Sequence, residues 1–117
     1  MSLLAKIQGN KEKRRAKLQA TLDSLVEELG ALGALRIILF GSFSRGEIDV
    51  GSDLDLLVIM PSMKTGRKWR DLIYTRVERT AGVDLIVFNE QEFRENLPKS
   101  AFLRRALEGK VVYEKAV

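Results

Sequence analysis

Three aspartates and one glycine-serine turn are the residues of this chain whose types and spacing can do chemistry. Gly41-Ser42-Phe43-Ser44-Arg45-Gly46 follows an apolar run, Leu35 to Phe40, and Asp53-Leu54-Asp55 opens a second one. Side chains at i and i+2 of a β-strand share a face, so Asp53 and Asp55 are expected to project together. Two like charges held close are costly unless a cation neutralises them. Carboxylate oxygens beside a substrate phosphate suit a hard divalent cation such as Mg²⁺. The turn offers backbone N–H groups and a hydroxyl to phosphate oxygens. Together they suggest chemistry on a nucleoside triphosphate.

The elements that must position these groups can be read from the hydrophobic pattern. Leu18, Leu22, Leu25, Val26 and Leu29 recur at helical spacing and predict a helix from about Asn10 to Leu29, closed by Gly30. Its apolar stripe is expected on a sheet, with the basic residues outside. Leu35–Phe40 and Leu54–Met60 are the first two expected strands, with a short helical turn somewhere in Ser42–Asp49. Lys68–Thr80 reads as a helix and Val83–Phe88 as a third strand. Asn89 is placed to cap a helix to about Leu97, where Pro98 interrupts. Ser100 is placed to cap another to Glu108, before a short strand Val111–Tyr113.

This order carries a topology. If the Gly41-Ser42 turn and the Asp53/Asp55 pair form one site, strands one and two are antiparallel. A helical crossover then makes strands two and three parallel. The start of strand three reaches the same edge, and Asp84 sits there, a carboxylate inside an apolar run that otherwise favours a strand.

The chain has 117 residues, enough for a single domain at 1–117 with a core over about 18–114. It has no Cys and no His, which excludes disulfides, zinc-thiolate sites and imidazole chemistry. No apolar run is long enough to cross a bilayer and no signal-peptide pattern opens the chain, so a cytoplasmic location is expected. Of the net charge of +4, the first twenty residues hold +5, six basic residues against Glu12. The basic segment 1–17 reads as a solvated helix face, with contact to RNA or an acidic partner as the alternative.

The combined pattern resembles the nucleotidyltransferase superfamily that includes DNA polymerase beta, and within it the minimal nucleotidyltransferase group often found beside a HEPN-domain toxin. The residues that carry the likeness are Gly41-Ser42, Arg45-Gly46, Ser52-Asp53-Leu54-Asp55-Leu56 and the closing Leu107-Glu108-Gly109-Lys110-Val111-Val112-Tyr113. The resemblance implies an α+β nucleotidyltransferase fold, a mixed sheet flanked by helices. Asp53, Asp55 and Asp84 would bind two Mg²⁺ ions, Asp84 also serving as metal ligand or general base toward the acceptor hydroxyl. Gly41 and Ser42 would hold the β/γ-phosphates of an NTP. Arg45 would pair with a phosphate, fix the turn, or bridge to Glu47 or Asp49, while Ser52 would support Asp53. Ser44 and Ile48 stand where Ala is common in the group and read as packing departures. The implied activity is transfer of AMP from ATP to a hydroxyl, a Tyr of a HEPN partner, as the antitoxin of a toxin–antitoxin pair. A partner or second copy could complete the site.

Other readings stand beside these. The protein could neutralise its partner by occlusion without chemistry, or transfer to a small molecule or an RNA end. Lys64, Arg67, Lys68 and Arg70 form a basic patch expected at the opposite edge from the carboxylates. Trp69 is expected to cap the core, with base stacking as the alternative, and Tyr74 and Tyr113 read as structural.

Overall fold

The computed structural model describes residues 2–41, 43–46, 54–77 and 82–116. One long helix, α1 (Leu3–Leu32), precedes strand β1 (Arg36–Phe40) and a 3₁₀ turn at Phe43–Arg45. Strand β2 (Leu54–Met60), helix α2 (Gly66–Arg76) and strand β3 (Val83–Asn89) form the crossover unit. Helix α3 (Glu90–Asn96), a 3₁₀ turn at Leu97–Lys99, helix α4 (Ala101–Ala106) and strand β4 (Lys110–Glu114) complete the chain. The four strands form one mixed sheet in the order β3-β2-β1-β4. β1 is antiparallel to both β2 and β4, and β2 is parallel to β3. This is the α+β arrangement that the sequence leads one to expect.

The central strands β1 and β2 are largely apolar on both faces because helices cover both. Leu22, Leu25 and Leu29 of α1 and Trp69 and Ile73 of α2 pack on one face, against Ile37, Leu39, Leu54, Leu56, Val58, Met60, Val83 and Leu85. Phe93, Leu103 and Ala106 pack on the other, against Ile38, Leu57 and Ile59. Trp69 is buried and its indole Nε1 donates to Pro61 O at 2.8 Å, so it is a core residue and not a stacking platform. Lys64 rides over its ring, Nζ 5.5 Å from the centroid, at the edge where β2 ends.

Several boundaries differ from the sequence reading, each for a local reason. α1 starts at Leu3, with the Ser2 hydroxyl accepting from Ala5 N, because Ala, Lys, Glu, Arg and Gln sustain a helix without an apolar stripe. Gly30 does not close it; Gly33 does, at φ 111 with its N–H on Gly30 O and Leu29 O. Gly30 instead lies under the Tyr113 ring, where an added Cβ would stand 3.1 Å from a ring carbon. α2 ends at Arg76, since Val77 turns extended to bury its side chain; residues 78–80 of the expected helix lie outside the described residues. α4 stops at Ala106 rather than Glu108, its end wound into turns at Glu108 and Gly109 that lead into β4. Tyr74 is exposed, so packing does not explain it.

Candidate active site

The sheet register brings the carboxylates together. Asp55 lies opposite Phe40, the last residue of β1, and in the parallel β2–β3 ladder it is paired with Asp84. Neighbouring strands run about 4.8 Å apart, so the two carboxylates face one another at close range. Alternation fixes their face. Leu54 and Leu56 enter the core under α1 and α2, as do Val83 and Leu85, so Asp55 and Asp84 project from the other face. Asp84 is exposed and Asp55 half-buried.

Gly41 follows Phe40 at φ 78, a left-handed conformation that suits glycine. A Cβ there would collide with the Asp55 carboxylate. The turn and the acid are therefore in direct apposition, and glycine is what permits it. Among the described residues the turn is tied by Ser44 Oγ, which donates to Gly41 O at 2.7 Å, and by Gly46 N, which donates to Phe43 O at 3.1 Å. Arg45 is exposed at the end of the 3₁₀ turn. Ser42, Ser52 and Asp53 lie outside the described residues, as do Glu47 and Asp49, which bear on the reading of Arg45.

The sequence does not announce two contributors. Ser44, which reads there as a packing departure, ties the turn through its hydroxyl; a hydroxyl three residues after a carbonyl in a tight turn is the signal for such a bond. Phe102 of α4, half-exposed, stands edge-on to Phe40 at 5.6 Å between centroids and 85° between planes. It walls the flank of the acidic edge beside β1. A larger cavity, about 490 Å³, lies at the other end of the sheet, lined by Arg36, Ile59, Glu90 and Phe93 among others, remote from the carboxylates.

The donor set is all carboxylate oxygen beside a glycine cradle, which fits a hard divalent cation bound together with phosphate. Among the described residues no group of three such ligands is gathered; Asp55 and Asp84 are the two in register, and Asp53 falls outside.

The structure thus sets a glycine turn at the end of one strand against acids at the starts of the next two. The chain belongs to the nucleotidyltransferase domain family, whose model matches residues 21–113. Over 52 residues it is 33% identical to a Methanocaldococcus jannaschii protein named as a candidate protein adenylyltransferase. That stretch is 44% of this chain and 52% of the relative, so the chain spans about half the length of the curated relative it matches. The fold is similar to the crystal structure of a candidate nucleotidyltransferase from Sulfolobus solfataricus. The TM-score is 0.63 at 16% identity, over 90% of this chain and 87% of that one, a likeness of fold. No helix of the described residues is long and apolar enough to cross a membrane.

Proposed function

We propose that this protein transfers a nucleoside monophosphate, AMP from ATP, to a hydroxyl on a protein, a Tyr of a HEPN-type partner that it thereby neutralises. The observation that carries the reading is the apposition of Gly41 with Asp55, itself in register with Asp84. Two acids set in register on neighbouring strands, beside a glycine turn, have a reason to exist if a metal–nucleotide complex sits there. The name of the M. jannaschii relative favours an adenylyl group and a protein acceptor.

In this reading Asp53, Asp55 and Asp84 hold Mg²⁺, two ions in all. When bound, these supply charge neutralisation on the triphosphate and on the oxygens entering and leaving phosphorus. The turn residues bind the phosphate chain: Gly41 lets the backbone come close, the Ser42 hydroxyl bonds the β/γ-phosphates, and Ser44 keeps the turn closed. Arg45 adds positive charge at its outer end, and Ser52 supports Asp53. Asp84, exposed at the acceptor side, accepts the proton of the attacking hydroxyl or orients it. The acceptor oxygen bonds the α-phosphorus, the bond to the bridging oxygen breaks, and pyrophosphate leaves. Positioning and charge neutralisation provide most of the rate.

The test is incubation with Mg²⁺, each α-³²P-labelled NTP and a co-expressed HEPN partner, with Asp55→Asn as control. Label on the partner, lost in the variant, is the expected result and names the nucleotide. A tight complex without label means neutralisation by occlusion. Neither label nor complex directs attention to small-molecule or RNA acceptors.

A further inference from the structure

We propose that Arg15 is a positioning residue that holds the glycine turn in place from the N-terminal arm of α1. The inference rests on reading that turn as the nucleotide cradle. Arg15 lies in the basic segment, six residues before the stretch matched by the family model begins. Its Nη2 donates to Gly46 O at 3.2 Å, across a separation of 31 residues. Gly46 is the last residue of the turn, and its own N–H is bonded back to Phe43 O. A hold on Gly46 is thus passed through the closed turn to Gly41, which touches Asp55.

The turn has need of such a hold because it is not packed solidly on the helix. Arg15, Gln19, Leu22, Phe43, Ser44 and Lys110, with neighbours, line a cavity of about 250 Å³ between α1, the turn and the start of β4. Phe43 reaches the core beside this cavity and Arg15 bridges its outer side. Without the guanidinium the turn has room to tilt toward the helix, and the phosphate-binding N–H groups tilt with it. Lys17, on the same helix and exposed, carries the same charge and makes no bond to the turn among the described residues, so it separates a specific hold from general attraction of an anion.

The experiment uses the full chain and its Arg15→Ala, Arg15→Lys and Lys17→Ala variants. It reads amide hydrogen exchange at residues 43–46 without ligand, and the Kd of each Mg²⁺–NTP by calorimetry. The expected result is faster exchange at the turn in Arg15→Ala and a Kd raised roughly threefold to tenfold, as for one lost charge-assisted bond at the surface. Arg15→Lys should recover part of both and Lys17→Ala should match wild type. Unchanged exchange at the turn, exchange raised along the whole chain, or equal Kd losses in Arg15→Ala and Lys17→Ala would each overturn the proposal. Should wild type bind no NTP while exchange still rises at the turn alone, the nucleotide reading falls and the hold itself is supported.

Discussion

At the scale of single residues, the pairing of Asp55 with Asp84 has a stability consequence as well as a chemical one. Like charges opposite one another on a sheet oppose folding. Asp84→Asn is expected to melt at or slightly above wild type in EDTA. Added Mg²⁺ with ATP should then raise the wild-type midpoint and leave the variant nearly still, which thermal scans with and without EDTA would show. Gly41→Ala should behave in the opposite way. A methyl there meets the Asp55 carboxylate in a left-handed backbone, so urea titration should find a loss of about 2 kcal/mol or more, with Mg²⁺–ATP binding gone. Gly41, Asp55 and Asp84 were legible in the sequence because strand parity and chain direction place them without side-chain detail. Ser44 was not, since its role depends on a bond to a carbonyl three residues back that composition does not reveal.

At the scale of elements, the β3–α3 junction is tied to the loop and first residue of α2. Asn89 and Glu92 form a reciprocal cap, the Asn89 side chain accepting from Glu92 N at 2.7 Å and Glu92 Oε1 accepting from Asn89 N at 2.9 Å. The same Glu92 oxygen accepts from Gly66 N at 2.9 Å, at the start of α2. Asn89 Nδ2 in turn donates to Lys64 O at 3.0 Å. Glu92→Ala therefore strands two backbone donors, one at the N-cap of α3 and one at the start of α2. A loss of about 1–3 kcal/mol is expected in urea, more than for Glu95→Ala on the exposed side of α3. The cap at Asn89 was legible from residue type and the Glu three positions on. The link to Gly66 was not, because nothing in a sequence shows that a helix-capping carboxylate also reaches another helix. The early start of α1 is not legible for a related reason: its first turns are held by intrinsic helix propensity and carry no apolar periodicity.

At the scale of the whole molecule, α1 gives the protein its length, 55 Å against 30 and 25 Å across. Thirty residues of helix span about 45 Å, and the buried stripe starts at Leu22. The basic segment therefore runs out past the sheet, where sequence alone could locate charge but not the Arg15 guanidinium's reach back to Gly46. The sheet order has a further result. β3 is an edge strand, and among the described residues no strand bonds its outer side. Stripped of Asp84, it would present Val83 to Phe88 as an unbroken apolar, β-prone segment, the kind that recruits other chains into shared sheets. Asp84→Val should fold yet scatter light on warming at concentrations where wild type stays clear. Asp84→Lys should remain clear because it restores a charge to the edge. The carboxylate that stands in register with Asp55 is also what keeps one molecule from becoming the template for the next.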